Sequence, residues 1–229
     1  MNSVRGIQAV VTDIEGTTSS LAFVKETLFP YARLHLADYV RTHALELGDI
    51  PAQIRAEVGR ECLTMDEMIV VLSRWMDEDR KITPLKTLQG LIWRSGYERG
   101  ELLGHVYEDA ARALRAWYAD GIRVYIYSSG SIDAQKLLFE HSSMGDMTPL
   151  IAGYFDTTTG PKSEPRSYEK ISRAIGLPPH SILFLSDHPA ETAAALAAGF
   201  RTIRVDREQH ADAPVAAAAT TFDDIEVGP

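Results

Sequence analysis

The chain has 229 residues, of which 45% are hydrophobic, so it can form one large domain or a core domain with a smaller insertion. Its formal net charge is −9 and no run of Lys and Arg stands out, which argues against nucleic acid and anionic membranes as partners. The single cysteine, Cys62, excludes an internal disulfide and favours a reducing compartment; we expect a small buried residue in a helix.

The first residues show no secretory pattern, and they run directly into a segment typical of a strand. No apolar run approaches the length of a membrane span. We therefore expect a cytoplasmic protein.

The first half of the chain contains one predicted strand followed by a helical segment. Residues 7–12 are apolar and β-branched, which predicts a buried strand, and the polar residues 13–20 predict a loop at its carboxyl end. From about residue 21 to residue 104 the periodicity is helical, with no good strand. Within this segment, Thr64 and Glu67 have the spacing of a capping box at the start of a helix.

After residue 104, helices and strands alternate. We expect helices over residues 110–118, 132–139, 168–175 and 190–198, and strands over residues 124–127, 182–185 and 202–205. Such alternation predicts a parallel sheet with helices on both faces. The predicted fold is a Rossmann-like α/β core formed by residues 1–20 and 105–229, with residues 21–104 inserted as a helical cap.

Polar side chains follow three of the predicted strands. Residues 13–18 read Asp-Ile-Glu-Gly-Thr-Thr, Ser128 and Ser129 follow the second strand, and Asp187 follows the third. Lys162 lies in a loop between the last two groups. Because open α/β sheets bind ligands at the carboxyl ends of their strands, we expect these side chains to form one site.

These residue types suit phosphoryl transfer, which needs a nucleophile, a proton donor and positive charge around the phosphoryl oxygens. Asp13 can act as the nucleophile, since carboxylates form aspartyl-phosphates. Glu15 can protonate the departing oxygen and then activate water. Asp187 together with Asp13 can hold Mg²⁺, which prefers oxygen ligands.

The remaining groups would bind the phosphate. Ser128, Ser129 and nearby backbone N–H groups can donate hydrogen bonds to it, and Lys162 supplies a fixed positive charge. Each feature alone has a structural explanation: a strand-end Asp caps a loop, serines cap the next helix, and a loop lysine is solvated. Their common position at strand ends, in chain order on one sheet, favours an active site.

The same residues resemble the first motif of the haloacid-dehalogenase-like superfamily, whose usual form has Asp at the position of Glu15. Glu15 together with Thr18 is typical of one branch, the enolase-phosphatases of methionine salvage. Further segments that are similar to this branch are residues 124–131, 134–138, 153–157 and 182–187. The resemblance covers nearly the whole chain, including the helical segment.

The resemblance implies a substrate of the 2,3-diketo-5-methylthiopentyl-1-phosphate type. The implied product is the acireductone 1,2-dihydroxy-3-keto-5-methylthiopentene. It also implies a monomeric enzyme with one Mg²⁺ per chain, which serves both enolisation and dephosphorylation. Asp13, Glu15 and Asp187 would form the metal site, with Glu15 contributing either its side chain or its backbone carbonyl. The residues that would bind the substrate are Ser128, Ser129 and Lys162.

One position departs from the family pattern. Many relatives have a second acidic residue directly after the one that matches Asp187, whereas this chain has His188. Glu191 either takes that role or only favours the N-terminus of its helix. His188 is more readily explained as a turn residue than as a substrate contact.

Other functions share these features. A haloacid-dehalogenase-like phosphatase or phosphomutase acting on another small phosphate ester would need the same Asp13, Glu15 and Mg²⁺ and would differ in the cap. A dehalogenase would have no use for Asp187 and Lys162 together. A non-catalytic module that binds phospho-ligands would be favoured by loss of the nucleophile or the metal ligand, and both Asp13 and Asp187 are present.

Overall fold

A computed structural model describes residues 2–208 and 218–228. The strands in chain order are β1 (Asn2–Val4), β2 (Ala9–Thr12), β3 (Arg123–Tyr127), β4 (Ile151–Phe155), β5 (Ile182–Ser186), β6 (Arg201–Val205), β7 (Ala218–Ala219) and β8 (Ile225–Val227). The helices are α1 (Leu21–Phe23), α2 (Phe29–Thr42), α3 (Ile50–Val58), α4 (Met65–Asp77), α5 (Thr83–Glu98), α6 (Glu108–Ala119), α7 (Ile132–Glu140), α8 (Pro165–Ile175) and α9 (Pro189–Ala197). A π-helical turn, Val24–Leu28, separates α1 from α2, and a 3-10 turn, Phe222–Asp224, precedes β8.

The described chain folds into two compact units. The larger one contains the residues up to Leu21 and those from Leu103 onward, and the helical unit is Ala22–Leu102. The division lies within a few residues of the predicted boundaries at 20/21 and 104/105. That the helical unit covers the active site stays a prediction.

The larger unit contains a six-stranded parallel sheet with the order β4-β3-β2-β5-β6-β7, while β1 and β8 form a separate parallel pair. Strand β2 is central, since Ala9 lies opposite both Arg123 of β3 and Ile182 of β5. Every residue of β2 and β5 is buried, which explains why these strands are continuous apolar runs rather than alternating ones.

Helices cover the sheet. Helices α8 and α9 contribute Tyr168, Ile171 and Ala195 to a buried cluster that also contains Val11 and Phe184. Helix α6 packs against β3, and α7 against β4. The predicted parallel sheet flanked by helices is therefore confirmed.

The helical unit has a hydrophobic core of its own. Leu36, Trp75 and Leu88, from α2, α4 and α5, are almost fully buried in it. Helix α4 begins with the capping box that the sequence predicted: the Thr64 hydroxyl accepts the N–H of Glu67 at 3.2 Å, and the Glu67 carboxylate accepts the N–H of Thr64 at 2.8 Å.

The expectation for Cys62 was wrong. Helix α3 ends at Val58, and Gly59 follows in a left-handed conformation with φ of 67°, so the chain leaves the helix before Cys62. Cys62 is exposed and lies between α3 and α4. Among residues 2–208 and 218–228, no helix is long and apolar enough to cross a membrane.

Candidate active site

The carboxyl ends of β2 and β5 flank the point in the parallel sheet where the order of the strands reverses. From β2 the chain builds β3 and β4 on one side, and it then returns to place β5 on the other. Ligands bind at such switch points in open α/β sheets. Thr12 lies opposite Leu185, and the N–H of Asp13 donates to the Leu185 carbonyl at 2.9 Å. Asp13 and Asp187 therefore leave the sheet at the same edge, as the sequence predicted.

The loop after β2 folds back on itself. The N–H of Gly16 donates to the Ser19 carbonyl at 2.8 Å, and the Thr18 hydroxyl donates to the Asp13 carbonyl at 3.0 Å. Gly16 has a φ of +74°, and a Cβ at this position would overlap the carboxylate of Asp187. A glycine is therefore required both by the backbone conformation and by the close approach of Asp187.

Thr17 connects this loop to the loop after β5. Its side chain is fully buried, and its hydroxyl oxygen accepts the N–H of Asp187 at 3.0 Å. The sequence motif contains Thr17 but gave it no role. Its contact fixes the two acidic loops relative to each other.

A buried cation joins two carboxylates at this edge. The Nζ of Lys162 lies 2.6 Å from Oδ1 of Asp13 and 2.7 Å from Oε2 of Glu191. The side chains of Lys162 and Asp13 are only 9% and 8% exposed, so the explanation of Lys162 as a solvated loop residue is wrong. Ser186 donates a hydrogen bond to the same Glu191 oxygen at 2.8 Å.

Hydroxyl groups hold the loop that carries Lys162. Three of them donate to successive backbone carbonyls: Tyr127 to Gly160 (2.9 Å), Ser167 to Pro161 (2.7 Å) and Tyr168 to Lys162 (2.7 Å). Because these three carbonyls have hydrogen-bond partners, the backbone at Lys162 is held in place, and its side chain contacts Asp13.

The electrostatics of the site favour an additional cation. Burial raises the pKa of Asp13 to about 7; Glu191 adds to that shift and Lys162 opposes it. Burial and Glu191 also raise the pKa of Asp187. Burial works against the charge of Lys162, but Asp13 and Glu191 outweigh it and raise the lysine pKa. Three carboxylates thus share one lysine, and a divalent cation would compensate the excess negative charge.

The donor set fits Mg²⁺. Asp13 and Asp187 offer carboxylate oxygens, and Mg²⁺ typically takes one or two protein carboxylates and keeps several waters. In the part of the chain that the structure describes, no three His, Cys, Asp or Glu side chains are grouped to hold a metal ion. The contribution of Glu15, through its side chain or its backbone carbonyl, stays a prediction.

The predicted phosphate-binding serines lie at the neighbouring strand end. Ser128 is buried and its hydroxyl accepts the N–H of Gly130 at 3.3 Å, whereas Ser129 is exposed. The residue that caps α7 is Ser131, so capping does not account for Ser128 or Ser129. Gln135 holds the loop by donating to the Gly130 carbonyl at 2.8 Å.

His188 has a structural role. It is the N-cap residue of α9, and its Nδ1 accepts the N–H of Ala190 at 3.2 Å. This agrees with its interpretation as a turn residue. Glu191, in the first turn of the same helix, contacts Lys162 as well as lying near the positive end of the helix dipole.

Comparison with known proteins assigns the family. The model of the haloacid dehalogenase-like hydrolases matches residues 7–199. The chain belongs to this family. Two similar relatives are named enolase-phosphatase E1. The one from Methylococcus capsulatus is 52% identical, over 96% of this chain and 97% of its own length. The one from Pseudomonas aeruginosa is 55% identical, over 88% of this chain and 91% of its own length. The solved structure of the UTR4 protein from Saccharomyces cerevisiae has a TM-score of 0.79 and 34% identity, covering 95% of this chain and 99% of that one.

In this haloacid dehalogenase-like hydrolase, the structure brings together Asp13, Lys162 and Asp187 from three separate predicted groups. Ser128 directly follows the adjacent strand, β3, in which Ile126 lies opposite Thr12. The contact between Glu191 and Lys162 was missed, although the spacing of Glu191 one helical turn after Asp187 was a usable signal. The catalytic, metal and substrate roles of these residues stay predictions.

Proposed function

We propose that this chain is an enolase-phosphatase that converts 2,3-diketo-5-methylthiopentyl-1-phosphate to the acireductone 1,2-dihydroxy-3-keto-5-methylthiopentene and phosphate. The observation that carries the proposal is the buried Asp13 carboxylate at the switch point, held 2.6 Å from Lys162 with Asp187 beside its loop. The name shared by relatives that are 52% and 55% identical supports the choice of substrate.

In the proposed dephosphorylation, an Asp13 carboxylate oxygen attacks phosphorus while the bond between phosphorus and the ester oxygen breaks. Glu15 donates its proton to the departing oxygen. Glu15 then takes a proton from water, whose oxygen attacks the aspartyl-phosphate and releases inorganic phosphate. Asp13 and Glu15 return to their starting states.

The other residues stabilise charge. Lys162 is fixed against Asp13, so it meets the phosphoryl oxygens without further reorganisation. Ser128 and Ser129 would donate hydrogen bonds to the same group. One Mg²⁺ per chain, held by Asp13, Asp187 and Glu15, would neutralise charge on the phosphate and on the enolate oxygen.

We also propose that the protein works in the cytoplasm as a monomer, without nucleic acid or membrane partners. The net charge of −9 supports this proposal, since it opposes binding to polyanions. The lone, exposed Cys62 fits a reducing compartment.

The decisive experiment follows both half-reactions on the diketone phosphate. Purified protein with Mg²⁺ is incubated anaerobically, and the enol product is measured by its ultraviolet absorbance in parallel with free phosphate. We expect both signals to rise. Release of phosphate without any enol would contradict the enolase activity and leave a plain phosphatase with the same core site.

A further inference from the structure

A largely buried arginine contacts the loop that carries Asp13. Arg207 lies shortly after β6 ends, and its side chain is only 12% exposed. Its Nε donates a hydrogen bond to the carbonyl of Thr17 at 2.7 Å. No sequence motif identified this residue, and the proposed reaction assigns it no role.

The guanidinium group of Arg207 also contacts Asp109 and Tyr107. Its Nη2 lies 3.1 Å from Oδ2 of Asp109, and its central carbon lies 3.8 Å from the centre of the Tyr107 ring. The same Asp109 oxygen accepts the N–H of Phe222 at 2.7 Å, so the carboxylate is itself held in place. These contacts hold the planar, forked guanidinium in place.

Thr17 transmits this position to the acidic groups. Its carbonyl accepts from Arg207, and its hydroxyl oxygen accepts the N–H of Asp187 at 3.0 Å. The next residue, Thr18, donates from its hydroxyl to the Asp13 carbonyl, while its own carbonyl accepts the N–H of Tyr107 at 3.0 Å. A shift of Thr17 would therefore displace the backbone at both Asp13 and Asp187.

We propose that Arg207 is a positioning residue, which sets the spacing between the Asp13 and Asp187 carboxylates through Thr17 and so sets the affinity of the site for a divalent cation. The inference rests on the proposed function, in which these two carboxylates hold Mg²⁺. Arg207 acts through the loop rather than on the substrate. Outer hydrogen bonds of this kind typically change metal affinity or activity by roughly 10–100-fold when they are removed.

The test compares Mg²⁺ binding in the full chain without substrate, by calorimetric titration. We expect Arg207→Gln to raise the Mg²⁺ dissociation constant by about tenfold or more. Arg207→Lys should show a smaller increase, because it keeps the positive charge that pairs with Asp109. Some increase should remain, because lysine lacks the rigid fork that contacts Thr17 and Asp109 together. In activity assays, Arg207→Gln should lose turnover at limiting Mg²⁺ and recover it at saturating Mg²⁺.

Arg112→Gln is the matched control. Arg112 also connects α6 to the Phe222–Asp224 turn, through an ion pair with Asp223 at 2.7 Å, and its second ion pair is with Glu108 of its own helix. This variant removes one positive charge and two ion pairs of α6 that lie outside the Asp13 loop. Its Mg²⁺ affinity should equal that of the wild type.

The outcomes separate the inference from the proposed function. A folded Arg207→Gln variant that binds Mg²⁺ within about twofold of the wild type overturns the inference and leaves the proposed function intact. An equal loss in Arg112→Gln also overturns it, since that loss would reflect general loosening. If Arg207→Gln does not fold, Arg207→Lys is judged by the same criterion. If the Mg²⁺ results hold but the diketone phosphate is not converted, it is the proposed function that fails.

Discussion

Asp13 is buried and forms an ion pair with Lys162. Its proposed role as the nucleophile can be tested separately from its contribution to the fold. Asn has a similar shape but is a far weaker nucleophile, and Glu191 still neutralises Lys162 in its presence. We expect Asp13→Asn to lower phosphate release by about a thousandfold or more while the fold persists. Phosphate assays and circular dichroism measure the two effects.

Asp146→Asn is the control for that variant. The Asp146 carboxylate is exposed and accepts hydrogen bonds from the N–H and hydroxyl of Thr148, at 2.9 and 2.6 Å, which close a turn. This variant should keep its activity. Turnover of Asp13→Asn within a few-fold of the wild type would show that another group is the nucleophile.

Glu15 should affect substrates unequally. Glu15→Gln removes the proton donor for the departing oxygen, so the rate should fall by about a hundredfold or more. Aryl phosphates, whose leaving groups need little protonation, should be affected less than alkyl phosphates in the phosphorylation step, measured by single-turnover kinetics. An equal loss on both substrate types would mean that Glu15 only shapes the metal site.

Sequence reasoning predicted a site from residues that directly follow strands, together with Lys162 in a loop, and it missed the contacts of Glu191 and Arg207, which depend on the tertiary structure. Asp13 and Asp187 were predictable, because the end of a buried strand can be recognised locally. Arg207 was not, since its partners Thr17 and Asp109 lie far away in the sequence and become neighbours only in the folded sheet.

Among the elements, α4 has an N-terminal cap whose contribution can be isolated. Thr64→Ala removes the acceptor for the Glu67 N–H and should lower the free energy of unfolding of the helical unit by about 1 kcal/mol. Thr87→Ala is the control: its exposed hydroxyl donates to the Thr83 carbonyl within α5, and alanine has the higher helix propensity. Urea unfolding followed by circular dichroism compares them. A Thr64→Ala variant as stable as Thr87→Ala would contradict the assigned cap.

The strands that the sequence predicted best are buried ones, and a partly exposed strand was missed. Strands β2 and β5 are buried on both faces and could be recognised as apolar runs. Strand β4 was missed because it is a partly exposed edge strand with Gly153 at its centre. A Cβ at Gly153 would lie 3.2 Å from the ring of Tyr125, so tertiary packing explains a glycine that weakens the local strand signal.

For the molecule as a whole, the proposed Mg²⁺ site predicts a stability that depends on the ion. A ligand that binds only the folded state at 100 times its dissociation constant adds about 2.7 kcal/mol to the free energy of unfolding. Thermal unfolding should therefore shift upward with Mg²⁺, and less with Ca²⁺, which prefers more ligands at longer distances. Asp187→Asn should abolish the shift. An equal shift in that variant would place the ion elsewhere.

The central position of β2 has a consequence for how the chain folds during synthesis. β2 is made before its partner strands, which begin at Arg123 and Ile182, after the whole helical unit. Contacts within Ala22–Leu102 are comparatively local and can form while the ribosome is still translating. Val10 and Val11 must meanwhile stay without neighbouring strands, as an apolar segment that other nascent chains can pair with. Thr12, which directly precedes Asp13, thus gains its second neighbouring strand only when β5 has emerged and docked.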